Sequence, residues 1–213
     1  MKIVASGFDD LRYIASCHRS AFPSSYASKL GKRFCVRMFR WYLETNNGIL
    51  FHSVDEKGIC TGYCGAIIND GKLDSGSSST IMQYCFTHGI AALCLKPWLF
   101  FDPDVISNYK LIQRNILVKV GFKKNERTIA SKAKLKANPH IGLVAIGVRS
   151  RMQGKGIGSL LLKELDKKTT NLGIGKMKLT VEETNTAALK VYITNGWDIV
   201  SSASGKVLMS KDL

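Results

Sequence analysis

The segment that most restricts what this chain can fold into is Gly147-Val148-Arg149-Ser150-Arg151-Met152-Gln153-Gly154-Lys155-Gly156-Ile157-Gly158-Ser159-Leu160-Leu161-Leu162. The apolar run His140–Val148 leads into it as a strand, and the spacing over 156–171 makes a helix behind it. A strand that passes through a glycine-rich, basic turn straight into a helix implies an α/β unit. Such a turn presents unpaired backbone N–H groups at a helix N-terminus, where they receive phosphate oxygens. Glycines keep the backbone approachable, and Arg149, Arg151 and Lys155 add positive charge. Two well-known phosphate loops do not fit. A P-loop needs Gly-x-x-x-x-Gly-Lys-Ser/Thr, and here Gly154-Lys155 is followed by Gly156. A dinucleotide fingerprint needs a third glycine where this chain has Ser159 or Leu161.

The pattern that does fit is Gln-x-x-Gly-x-Gly at Gln153, Gly156 and Gly158, which resembles the acyl-CoA loop of the GNAT superfamily of N-acetyltransferases. Downstream, Asn185-Thr186-Ala187-Ala188-Leu189-Lys190-Val191-Tyr192-Ile193-Thr194-Asn195-Gly196-Trp197 is similar to the same superfamily's Asn-x-x-Ala-x-x-x-Tyr-x-x-x-Gly-Phe segment, with Trp197 replacing Phe. The seven-residue step from Asn185 to Tyr192 is about two helical turns and sets both on one helix face. By themselves Asn185 is a helix cap and Tyr192 a core aromatic. The resemblance covers 140–202 specifically and 1–68 through element order.

The resemblance implies an acetyl-CoA-dependent enzyme that transfers the acetyl group to a primary amine by direct attack in a ternary complex. The N–H groups of Gln153, Gly154, Lys155, Gly156, Ile157, Gly158 and Ser159 would hold the CoA pyrophosphate. The edge of Ile146, Gly147 and Val148 would pair with the pantetheine amides, and one N–H there would polarise the thioester carbonyl. Asn185 would contact the pantetheine. Tyr192 would be the catalytic acid that protonates the leaving thiolate. Many relatives carry a carboxylate base on the strand before the loop, and residues 141–148 contain none. His140, Glu182, Glu183, His88 and Asp70 are the alternatives, together with loss of the proton to solvent before binding.

The remaining elements follow from periodicity. Met1–Ala5 is a strand candidate, and a helix opening at Phe8-Asp9-Asp10 repeats Leu11, Ile14, Ala15 and His18 at helical spacing until Pro23. A second helix is expected from Ala27 to Thr45, then a hairpin of Ile49–Val54 and Ile59–Ile68. Helices are expected over 79–95 and 104–119, with loop or strand over 120–138. Strand Lys176–Glu182, helix Asn185–Asn195 and a hairpin of Trp197–Ser202 with Lys206–Ser210 complete an α/β chain with a mixed sheet. With the resemblance, this implies one domain over 1–213: a mostly antiparallel central sheet flanked by helices, with a helical insertion at 69–138.

Composition narrows the partner. The 213 residues carry 31 Lys and Arg against 16 Asp and Glu, a formal charge of +15, which points to an anionic partner. The stretch 71–138 holds the largest share, +7. Its Lys119, Lys123, Lys124, Arg127, Lys132, Lys134 and Lys136 make either a solvated connection or a binding patch. No zinc, RNA-recognition or helix–turn–helix signature accompanies it, so no specific nucleic acid is expected. The apolar stretch Ile81–Phe101 is interrupted by Gln83, Thr87, His88 and Lys96 and broken by Pro97, so no transmembrane segment is expected. A basic amphipathic helix over 105–120 leaves peripheral membrane contact open. Six irregularly spaced cysteines, with no second zinc-spaced pair after Cys60 and Cys64, read as free thiols of a cytoplasmic protein without a metal. The acceptor expected is a small-molecule amine such as an amino sugar, with the insertion walling its pocket. A protein N-terminus or lysine is the second reading, and a basic nucleic-acid-binding module is the third.

Overall fold

Tyr63 and Cys64, neighbours on one strand, are both fully buried, yet each enters a different hydrophobic core. Successive strand residues face opposite ways, so a strand apolar at both must be covered on both sides. A computed structural model describes residues 1–70, 78–102 and 138–213 and shows this layering. Strands β1 (Lys2–Ala5), β2 (Gly48–Val54), β3 (Cys60–Asn69), β4 (His140–Val148), β5 (Lys176–Glu182), β6 (Asp198–Ala203) and β7 (Lys206–Asp212) form one sheet in the order β1-β2-β3-β4-β5-β7-β6. Every neighbouring pair is antiparallel except β4 with β5. The expected mixed, mostly antiparallel sheet flanked by helices is therefore present.

The first core joins the sheet to α1 (Leu11–Ala21), α2 (Tyr26–Leu30), α3 (Lys32–Glu44) and α4 (Ser78–Leu95). Leu11, Ile14, Ala15 and His18 form the buried stripe of α1. The second core joins the other face to α5 (Ile157–Asn171) and α6 (Thr186–Thr194), with Ile157, Leu161, Leu162 and Leu165 of α5 buried. Each of these side chains contributes about 1.5–3 kcal/mol by leaving water.

The single helix expected from Ala27 to Thr45 is divided. Gly31 has φ 109° and ψ 175°, a conformation that ends α2 and starts α3, and Gly31 N still donates to Ala27 O at 3.2 Å. Of the insertion, α4 and a 3-10 turn at Pro97–Phe101 are described, while the helix expected over 104–119, the loop over 120–138 and the Lys119–Lys136 cluster lie outside the described residues. The described part is anchored on α2 and α3. Lys29 pairs with Asp102 at 2.9 Å, Lys96 Nζ donates to Lys29 O at 2.9 Å, and the Arg37 guanidinium lies 3.7 Å from the centre of the Tyr84 ring. No described helix is long and apolar enough to cross a membrane.

Candidate active site

The parallel pair β4–β5 is joined over only Ile141, Gly142 and Leu143, which face Met177, Lys178 and Leu179. Beyond Leu143 the two strands part, while β4 stays paired to β3 through Gly62↔Val148, Tyr63↔Gly147 and Cys64↔Ile146. The divergence begins at a bulge. Gly65 faces Ala145 and Ala66 faces Leu143, so Val144 is an extra residue in β4. Bulges bend and twist a strand, and this one re-aims the end of β4 away from β5. Ile146, Gly147 and Val148 thus lie on the stretch of β4 with no β5 partner among the described residues.

The loop after β4 is held by its own side chains. Gln153 Nε2 donates to Val148 O at 3.1 Å, and Gln153 N donates to Ser150 O at 3.3 Å. Arg149 Nε donates to Cys60 O at 3.0 Å, so this guanidinium braces the loop against β3. Arg151 and Lys155 are exposed. Gly154 and Gly156 have φ 74° and 76°, and a Cβ on either would point into open space. Gly156 caps α5 in the left-handed conformation, which glycine adopts without strain. The N–H groups of Gly154, Lys155, Gly156, Ile157, Gly158 and Ser159 donate to no protein group among the described residues. Six free donors at the N-terminus of a fifteen-residue helix, with no side chain from either glycine in front of them, fit a pyrophosphate.

Helix α6 brings Tyr192 to the same end of the second core. Its ring is buried beside Trp197, with centroids 6.0 Å apart, and burial, with Cys64 nearby, pushes its pKa up to about 12. The phenol is therefore fully protonated at neutral pH. Its hydroxyl has no protein partner among the described residues and is not sealed from solvent. Asn195 N and Trp197 N both donate to Tyr192 O, at 2.9 and 3.1 Å, fixing the end of the helix. Asn185 stands before the helix as its cap, exposed, with Oδ1 accepting from Ala188 N at 3.2 Å.

The sequence reading missed the contact that holds these parts in register. Asn195 Nδ2 donates to Ser159 Oγ at 2.9 Å and so ties α6 to the first turn of α5. Its only sequence signal is its place three residues after Tyr192. Of the base candidates, Glu182 ends β5 on its parted stretch with Glu183 beside it, and both are exposed, as is Asp70. His140 opens β4 at the far end and lies 2.9 Å from Asn138 O, and Glu182 pairs with Lys206 at 3.6 Å. His88 is exposed on α4. No cluster of metal-binding side chains occurs among the described residues.

A family model described as the acetyltransferase (GNAT) family matches residues 11–197. The chain belongs to that family. The mycothiol acetyltransferase of Jonesia denitrificans is 30% identical over 113 residues, 52% of this chain and 32% of that protein. The chain thus matches about a third of that relative's length. Among solved structures, the PaiA N-acetyltransferase from Thermoplasma acidophilum in complex with coenzyme A aligns with a TM-score of 0.59 and 12% identity, over 100% of this chain and 98% of that one. YncA of Salmonella typhimurium, solved with acetyl-CoA, aligns with a TM-score of 0.55 and 14% identity, over 100% and 94%. These likenesses are of fold.

Proposed function

We propose that the chain acetylates the primary amine of a small-molecule acceptor by direct attack on acetyl-CoA in a ternary complex. The observation that carries this reading is the parting of β4 from β5, with the free N–H cradle at one end and Tyr192 on the face below. The N–H groups of Gly154 to Ser159 bind the pyrophosphate, and Gln153 shapes their loop. Ile146, Gly147 and Val148 pair with the pantetheine along the edge that β5 leaves open, and an N–H there polarises the thioester carbonyl. Asn185 keeps Nδ2 available toward the pantetheine while its Oδ1 caps α6.

The acceptor ammonium loses one proton to solvent, and its nitrogen forms the new C–N bond as the C–S bond breaks. Tyr192 donates its O–H to the departing sulfur. The second proton shed by the nitrogen returns through solvent to the phenolate. Net, the ammonium sheds two protons: one stays in solvent and one balances the proton that the thiol receives. The described residues of the insertion, 78–102, which are anchored on α2 and α3, wall the acceptor side of a single domain over 1–213. Five buried free thiols and one exposed one support a reducing, cytoplasmic setting.

Acetyl transfer across a panel of amines, read by thiol release and product mass, tests the reading. Acetylation of at least one small amine supports it. Retention of CoA with acetylation of protein lysines alone overturns it.

A further inference from the structure

On the other face of β4 lies a polar pair that the steps above do not use. Tyr63, on β3, is fully buried opposite Gly147. A Cβ on Gly147 would fall 2.7 Å from Tyr63 Cε1, 2.9 Å from its hydroxyl oxygen and 2.8 Å from Phe22 Cε2. The phenol and Phe22 therefore lie across β4 where it has already left β5. His18, on the last turns of α1, places Nδ1 2.6 Å from that hydroxyl, among the rings of Phe22, Phe39 and Tyr63. The same end of α1 meets the loop through Ser20 Oγ and Ser150 Oγ, 2.9 Å apart.

The arrangement that gives the buried phenol hydrogen an acceptor has Tyr63 as the donor. A sealed hydroxyl must donate, and the acceptor that Tyr63 has among the described residues is His18 Nδ1. With Nδ1 accepting, the neutral ring carries its hydrogen on Nε2. The ring is neutral because burial lowers its pKa to about 4. The titratable groups facing Tyr63, namely Cys17, Tyr42, Cys35 and Cys64, are buried. Nε2 faces Ser25 Oγ on the α1–α2 turn at 3.4 Å, too long to be a strong bond. Tyr63 has no exposed surface, whereas His18 keeps 8%.

We propose that the Nε2–H of His18, its tautomer set by Tyr63, is a specificity-determining donor that hydrogen-bonds a carbonyl or carboxylate oxygen carried next to the acceptor's amine. The acceptor class is then amino acids, their amides and short peptides rather than plain alkylamines. His18 is accordingly not the base, since its donor nitrogen has no lone pair to offer. The inference rests on the amine-acetylation reading above.

Two measurements test it. In the intact protein, nitrogen-15 shifts of labelled histidine should show His18 Nδ1 bare and Nε2 protonated at pH 7, with the preference weakened in Tyr63→Phe. A bare Nε2 in the unaltered protein overturns the proposal. The second measurement compares kcat/KM for alaninamide and isopropylamine, which differ in basicity, so the readout is how their ratio changes on substitution. The ratio should fall about tenfold or more in His18→Ala and less in His18→Gln, which keeps a donor. Acetylation with an unchanged ratio in both variants overturns the proposal and leaves the amine-acetylation reading standing. Acetylation of neither these amines nor any other overturns both. If His18→Ala does not fold, the Gln variant and the shifts decide.

Discussion

Two buried tyrosines flank β4 and differ in what is done with the hydroxyl. Tyr192, on the α5–α6 side, has a hydroxyl with no protein partner among the described residues. Tyr63, on the α1–α3 side, has its hydroxyl 2.6 Å from His18 Nδ1. Burial raises the pKa of both, so neither ionises near neutral pH. A free phenol can give its proton to an incoming atom, whereas a committed one can only hold its partner in place. The proposed division of labour follows: changes on the α5–α6 side should alter handling of acetyl-CoA for every acceptor, and changes on the α1–α3 side should alter which acceptors are chosen.

The largest effect should come from Gly156→Glu. It places a carboxylate and a strained φ of 76° before the free N–H groups, and retention on immobilised CoA should fall about a hundredfold or more. Undiminished retention would remove the loop from the donor side. Tyr192→Phe should lower kcat about a hundredfold for all amines while CoA retention persists; a loss confined to some amines would dissolve the contrast between the two phenols.

The acceptor side makes a prediction in pH. The unfolded chain binds a proton at His18 below about pH 6.5, but the folded chain does so only near pH 4. Stability is therefore full above pH 6.5 and falls as pH drops toward 4, by about 3 kcal/mol from this residue. His52, lowered by burial against the opposing pull of Asp10, slopes the same way. Denaturant melts of His18→Gln against the unaltered chain isolate the His18 share, and identical slopes would refute it. The smallest effect belongs to Asn195→Ala, which frees α6 from Ser159. It should cost about 1 kcal/mol of stability and raise the KM for acetyl-CoA a few-fold, read by melts and initial rates.

What could be read beforehand was local. Gln153, Gly156 and Gly158 stand within one turn of each other, and the alternation and helical spacing over 140–212 needed no distant partner. The His18–Tyr63 pair could not be read, because 45 residues separate two side chains that packing alone brings together. In sequence, His18 is one more residue on the apolar stripe of α1. Asn185 was legible as a cap or as a ligand contact, and the backbone at φ −84° and ψ 64° shows the cap in place. The Val144 bulge left no trace, since one extra apolar residue in an apolar run changes neither composition nor period by eye. The division at Gly31 was outweighed by helix-compatible residues on both sides, although a glycine at that point permits it.

The three-residue join of β4 to β5 makes the sheet two half-sheets, β1–β4 and β5–β7, stitched at one end like a zipper left partly open. A molecule that pairs along the free edge of β4 would act as a missing stretch of ladder and carry cooperativity from one half to the other. Saturating CoA should then slow amide hydrogen exchange across β5 and β7 as well as at the loop. At a concentration of a hundred times its Kd it should add about 2.7 kcal/mol to global stability. In this protein the substrate's backbone amides would serve as part of the fold.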